Sequence, residues 1–209
     1  MENHNLPQDD TNQTETIDGT RRRFTTSGLV VSGVLLTLAS RPSLGDVVCK
    51  SPSGFLSGNA STHGTPQTCL GRTPGYWGNH PENWPSPYLP GNCNSGKGNS
   101  CTDSSNWSGG TRFADMALGF HCSGYGSIYL KYSMMQVIWL GGGGDPYQLG
   151  AHIVAALLNA KMGWSLMLSE AQVKNIFNEY NSKGYFEPTA GVKWYPAEIV
   201  TYLKSTMPL

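Results

Sequence analysis

Histidine residues are the side chains in this sequence best suited to binding a metal ion. The chain after residue 45 contains His63, His80, His121 and His152, with Glu82, Asp115 and Cys122 available as further ligands. A catalytic zinc ion needs three such ligands and one open coordination position. The sequence contains neither an HExxH nor an HxH motif, so distant segments would have to assemble any site. A zinc or other transition-metal site on His80, His121 and His152 is therefore an alternative hypothesis, beside the interpretation that a lone helical histidine such as His152 is structural.

The segment TPGYWGNHPENWP, residues 73–85, concentrates two Trp, one Tyr, one His and three Pro. In a region poor in aliphatic residues these rings can pack into a miniature core, and this is the interpretation that the composition favours. The alternative is a platform that stacks on sugar rings or on the prolines of a partner. Its candidate binding residues are Tyr76, Trp77, His80 and Trp84, and the sequence alone does not show which rings are exposed.

Other catalytic arrangements have little support in the sequence. The chain has no GxSxG motif, and the neighbours His121, Cys122 and Ser123 lack an evident activating base. Hydrolysis of a glycoside needs two carboxylates across a cleft, whereas Glu82 is the one acid beside the aromatic segment. The glycine run 141–144 lacks the lysine of a phosphate-binding loop. The sequence therefore leaves enzymatic activity open but favours a protein without catalysis.

The charge of the chain argues against a nucleic-acid partner. Only 13% of its 209 residues are charged, and 14 basic side chains balance 14 acidic ones. Binding to phosphate backbones depends on clustered Lys and Arg, and no such cluster follows residue 45.

The N-terminal 45 residues are predicted to be a disordered leader followed by an export signal. Arg21, Arg22, Arg23 and Phe24 precede a mildly apolar run and small residues near Gly45, in the order of a twin-arginine signal. An ordinary secretory signal and an uncleaved anchor remain alternatives. Residues 28–39 are too short for a transmembrane helix, which needs about 20 apolar residues, so we expect no stable span after cleavage. The predicted location is the periplasm, the cell surface or the extracellular space, reached through the export machinery.

Cysteine usage agrees with export. All five cysteines follow residue 45, and an oxidising compartment permits disulfides. Five cysteines allow many pairings, among which we expect Cys49–Cys69 and Cys93–Cys101, with Cys122 unpaired.

The remaining chain, 46–209, is predicted to be a single domain of mainly α class. Residues 46–110 are rich in Ser, Gly, Asn and Pro and predict loops joined by disulfides, whereas residues 111–209 carry helical patterns. The patterns predict helices over 127–140, 145–163, 169–184 and 196–205. Asp145 is the expected N-cap of the second, with Pro146 in its first turn, and Ser169 is the expected N-cap of the third.

Four motifs occur in one order: TPGYWGNHPENWP, LGGGG at 140–144, LGAHIVAALLNA at 149–160, and YPAEIV at 195–200. They resemble a family of secreted bacterial proteins marked by a TPGYWKNHPEAWP-like segment and an RHAVAALLNA-like helix. The resemblance implies secretion and a shared fold, and it implies no reaction. The family pattern has Lys where this chain has Gly78, and Arg where it has Ala151.

Together these observations predict an exported bacterial binding or structural module without catalysis, which uses the aromatic segment to contact a glycan or another envelope protein. The alternative is a metal-binding protein or metal-dependent hydrolase with a histidine site.

Overall fold

A computed structural model of the chain describes residues 48–57, 68–94, 101–145 and 147–208. All of these residues belong to one compact unit, Gly45–Leu209. The predicted leader and export signal, including Arg21–Phe24, lie outside the described residues, as does His63.

Helices and two small hairpins make up the described part of the chain. Its seven α-helices are α1 (Pro52–Ser57), α2 (Pro74–Asn79), α3 (Met134–Ile138), α4 (Gly141–Gly144), α5 (Leu149–Lys161), α6 (Glu170–Lys183) and α7 (Pro196–Ser205). Its strands are β1 (Asn92–Cys93), β2 (Trp107–Ser108), β3 (Phe186–Thr189) and β4 (Val192–Trp194). Strands β1 and β2 pair antiparallel, and β3 and β4 form a second antiparallel pair. The predicted mainly helical content with a loop-rich, disulfide-linked first half is confirmed, although the β3–β4 hairpin makes the domain not purely α.

Helix α5 is the centre of the fold. It contacts α2, α3, α6 and α7, and every residue from Leu149 to Asn159 is buried. A helix buried all round does not need an amphipathic pattern, and its Ala and Leu residues also favour helix formation. Gly150 permits a close approach at its start, because a Cβ there would lie 2.6 Å from the side chains of Tyr129 and Val137.

The start of α5 differs from the prediction. Gln148 has a left-handed backbone with φ of 54°, so the helix begins at Leu149 and Asp145 is not its N-cap residue. The carboxylate of Asp145 nevertheless accepts hydrogen bonds from the N–H groups of Leu149 and Gly150, at 2.9 and 2.8 Å. Asp145 therefore satisfies the first donors of the helix and faces its positive end from the preceding turn.

The prediction of one continuous helix over 127–140 is wrong. A 3-10 turn covers Ser127–Tyr129, and α3 begins only at Met134. Ser133 forms a capping box with Gln136, and this reciprocal pair of hydrogen bonds sets a helix start in the middle of the apolar run. The apolar side chains upstream of the break are therefore not all buried: Ile128 is 46% exposed and Leu130 56%.

The last two helices follow the prediction closely. Ser169 and Gln172 form a capping box at the start of α6, and Gly184, with φ of 82°, ends it. Helix α7 covers Pro196–Ser205, and its residues Ile199, Val200 and Leu203 are buried. The patterns above do not predict the β3–β4 hairpin between these helices, whose first strand contains Pro188, a residue unfavourable in strands.

Both predicted disulfides are confirmed. Cys49 bonds to Cys69, with their Cα atoms 4.9 Å apart, and Cys93 bonds to Cys101 at 6.0 Å. Cys122 is a buried free thiol. No helix in the described ranges is long and apolar enough to cross a membrane.

Candidate functional site

The aromatic segment begins with the short helix α2, and local residues set both of its ends. The Thr73 hydroxyl accepts a hydrogen bond from the Tyr76 N–H at 3.4 Å, and Pro74 occupies the first turn of α2. The helix ends at His80, because the residue before a proline avoids the helical region. A 3-10 turn, Pro81–Asn83, follows directly.

The two tryptophans of this segment belong to the core of the domain. Trp77 has no exposed surface, and Trp84 is 9% exposed. The Trp77 indole N–H donates to the Asn159 side-chain oxygen at 3.1 Å, and the Trp84 indole N–H donates to the Trp77 carbonyl at 3.0 Å. Neither ring can stack on a ligand, so the predicted platform is corrected for these two residues. The rings also form no separate miniature core, since they pack with α5 in the main one.

Asn159, in the last turn of α5, fixes the backbone on which the segment depends. Its side-chain oxygen accepts the Arg72 N–H at 2.9 Å, and its side-chain nitrogen donates to the Arg72 carbonyl at 2.9 Å. The preceding Gly71 lies so close to the end of α7 that a Cβ would collide with the Thr206 carbonyl oxygen. Backbone contacts therefore determine the position of Arg72.

A partly exposed cluster of side chains remains on the surface above Trp77. We call it the aromatic face and define it as Arg72, Tyr76, His80 and Trp164. The guanidinium carbon of Arg72 lies 5.1 Å from the Tyr76 ring centroid and 5.8 Å from that of Trp164, within the range of cation–π attraction. The Trp164 ring stacks on buried Trp77 at 5.5 Å, and the Tyr76 ring contacts the His80 ring at 4.6 Å.

Polar side chains border the aromatic face. The His80 Nδ1 lies 3.0 Å from the Glu82 carboxylate, and both side chains are exposed. Backbone hydrogen bonding, followed by the hydrogen bond to His80, lowers the pKa of Glu82. The Asn83 side-chain nitrogen donates to the Tyr76 hydroxyl at 3.0 Å. The face thus combines ring surface with hydrogen-bonding groups and a cation.

The three histidines of the metal hypothesis do not gather at one place. His121 is exposed, and its backbone N–H donates to Asn178. His152 is buried on α5, with its Nδ1 2.7 Å from the Gln148 carbonyl. Over the described ranges, no three His, Cys, Asp or Glu side chains are grouped so that they could hold a metal ion. The site predicted on His80, His121 and His152 is therefore not assembled in this fold.

The two departures from the resembled family pattern both lie in buried positions. A Cβ at Gly78 would lie 2.5 Å from the Trp139 indole, so this indole occupies the space that a lysine would need. Ala151 is buried in the first turn of α5.

Separately, an open cavity of about 440 Å³ lies beside the break before α3. Its lining residues are Ser127, Ile128, Leu130, Lys131, Tyr132 and Gly144. None of the candidate binding or metal-ligating residues lines it, and Gly144 belongs to the LGGGG motif.

Two residues of the aromatic face, Arg72 and Trp164, are not among the candidates from the sequence. Arg72 stands just before the aromatic segment, but a single arginine there carries no pattern. Trp164 follows the end of α5, and nothing in its neighbourhood relates it to residue 76. The contacts of Trp164 with Trp77, Tyr76 and Arg72 bring the two segments together.

No protein-family model matches the chain, and neither a curated protein nor a solved structure matches it. The side chains of the aromatic face themselves therefore carry the functional interpretation.

Replacing Trp77 with alanine is expected to destabilise the protein strongly. Deleting a fully buried aromatic ring costs about 3–5 kcal/mol in the free energy of unfolding, and this variant also leaves Asn159 without one partner. Urea denaturation measures the loss. Tyr147→Ala is the control, because its ring is exposed and its removal should change little. A Trp77→Ala protein as stable as the wild type would contradict the assignment of this ring to the core.

The pH dependence of stability is expected to include a contribution from His152. Burial lowers the pKa of its imidazole, whereas an unfolded histidine titrates near pH 6.5, about its ordinary value. The stabilisation is therefore complete above that pH and is lost as the pH falls through the lowered folded-state pKa. His152→Gln should reduce this acid-induced loss.

Denaturation of the wild type and His152→Gln across a pH series measures the difference. Asp145 acts in the opposite sense, because burial raises its pKa and its protonation favours the folded state. Asp145 and Lys204, which both influence the imidazole, are present in both proteins. If the free energy of unfolding changes with pH equally in the two proteins, His152 does not contribute to the pH dependence of stability.

Proposed function

We propose that the protein is exported from a bacterial cell and acts there as a non-catalytic binding module whose ligand contacts the aromatic face. The observation that carries the proposal is the cluster of Trp164, Arg72 and Tyr76, in which Trp164 stacks on buried Trp77 and Arg72 lies over the other two rings. These side chains remain partly exposed, while Asn159 and the core hold the backbone beneath them. A rigid, partly exposed cluster of rings limits the entropy lost on binding.

The proposed ligand is a saccharide. Sugar rings present C–H surfaces that pack on aromatic side chains and hydroxyl groups that need hydrogen-bonding partners. Tyr76 and Trp164 contribute ring surface to the aromatic face, and His80 contributes a polar group within it. Asn83 contributes a second polar group at its border.

The environment of the free cysteine argues against a cysteine nucleophile. The thiol of Cys122 is buried, and burial raises its pKa to about 11. A thiol with this pKa stays protonated near neutral pH and is a poor nucleophile. His121, its neighbour in sequence, is exposed, so the geometry favours no activated pair at this place.

Export is supported by three independent features. Arg21–Phe24 has the order of a twin-arginine signal. The two disulfides suit an oxidising compartment. The four ordered motifs resemble those of secreted bacterial proteins.

The export route is tested by replacing Arg21 and Arg22 together with lysine. The twin-arginine route reads the arginine pair, whereas an ordinary secretory signal needs only positive charge. We therefore expect the double variant to remain in the cytoplasm as a precursor, while Arg23→Lys is exported. Cell fractionation with N-terminal sequencing of the exported form measures this, with Asp46 as the expected first residue. Normal export of the double variant would favour the ordinary signal, and retention of the wild type in the cytoplasm would refute export.

Ligand binding is tested with the purified protein and a panel of soluble neutral and acidic bacterial polysaccharides. Tyr76→Ala should weaken any binding by roughly tenfold or more, as expected for loss of a central aromatic contact. Titration calorimetry gives the affinities. Tyr147→Ala, which removes an exposed tyrosine outside the aromatic face, is the matched control. Absence of binding across the panel, or equal losses in both variants, would refute the proposed function.

A further inference from the structure

Arg72 is a partly buried cation with cation–π contacts but no ion-pair partner in the part of the chain that the structure describes. The ion pairs there join His80 to Glu82, Lys161 to Glu170 and Lys183 to Glu179. The Nε of Arg72 is buried and has no hydrogen-bond partner. Partial burial of a cation without an acceptor is unfavourable, so this arginine needs an explanation beyond packing.

The rings beside Arg72 leave its hydrogen-bonding capacity unused. A guanidinium group is planar, and its N–H groups point outwards in that plane. Tyr76 and Trp164 attract the cation through their ring faces, but they do not supply acceptors for its terminal nitrogens. Unlike Nε, these nitrogens are not among the buried unpartnered atoms. The terminal N–H groups are therefore available to a molecule that approaches the aromatic face.

The backbone of Arg72 is held in place before any ligand arrives. Both its N–H and its carbonyl are bonded to Asn159, and Gly71 packs against the end of α7. Stacking further restricts the side chain. The arginine is thus a pre-organised donor, and pre-organisation reduces the entropic cost of binding.

We infer that Arg72 binds a carboxylate of the ligand and that the aromatic face selects acidic saccharides, such as oligomers of uronic acids. This inference rests on the proposed function and adds the ligand class. The planar fork of a guanidinium matches the two oxygens of a carboxylate. Bound carboxylate would compensate the unpaired cation, while the sugar ring packs beside Tyr76 and Trp164.

A pair of ligands that differ only at their carboxyl groups tests the inference. The galacturonic acid trisaccharide and its fully methyl-esterified form share the same rings and hydroxyls, but only the first carries carboxylates. Calorimetry with the wild-type protein should show roughly tenfold or tighter binding of the acid, as expected for charge-assisted hydrogen bonds. This comparison needs no variant and does not depend on the folding of any mutant.

Two variants then test whether Arg72 causes the preference for the acid over the ester. Arg72→Gln should bind the acid and the ester equally. Arg112→Gln is the matched control, because Arg112 is exposed and its guanidinium donates to the Leu130 carbonyl; it should retain the preference. Persistence of the preference in Arg72→Gln would overturn the role of Arg72.

The outcomes separate this inference from the proposed function. Equal affinity of the wild type for acid and ester, lost in Tyr76→Ala, would overturn the carboxylate inference and leave the saccharide-binding module intact. If the wild type binds a neutral polysaccharide from the panel but not the acidic trisaccharide, the carboxylate inference is likewise overturned and the saccharide-binding module remains. Binding of a polyglutamate peptide instead of every saccharide would overturn both.

Discussion

The side-chain amide of Asn159 joins the central helix to the segment that carries the candidate site. It is 1% exposed, and it bonds to both backbone groups of Arg72 and to the Trp77 indole. A buried amide is costly unless its hydrogen bonds are satisfied, and here residues far away in the sequence satisfy them. If this amide were apolar, the Arg72 backbone and the Trp77 indole would lose their partners together. The position of the aromatic face therefore depends on one side chain of α5.

The opposite end of α5 is fixed by a second buried polar residue. Asp145 is 2% exposed, and its carboxylate accepts the first N–H groups of the helix. Burial raises the pKa of this carboxyl, although the hydrogen bonds it accepts oppose that rise. The positive end of a helix favours a negative charge. With Asp145 before its first residue and Asn159 in its last turn, α5 has a defined position along its axis as well as a buried surface.

The rings of the aromatic segment divide into two groups with different roles. Trp77 and Trp84 are core residues, whereas Tyr76 and His80 reach the surface one position before and three after Trp77. This division follows from the short helix α2, whose successive side chains point in different directions. The buried ring supports the exposed ones through Trp164, which stacks on it. Stability and the proposed binding are therefore coupled, since the aromatic face rests on the core.

The sequence by itself determined those features that depend on local rules. Ser169, Gln172 and Gly184 set the ends of α6 through capping and a left-handed residue, and the disulfides joined cysteines close in sequence. Tertiary structure decided which rings are buried. Trp77, for example, packs against α5 and bonds to Asn159, which is 82 residues away in the sequence. It also shifted the start of α5 and separated the histidines. Contacts between distant segments decide these features, because burial and hydrogen-bond partners exist only once the chain is packed. No local sequence pattern around Arg72 or Trp164 indicates that the two side chains lie together.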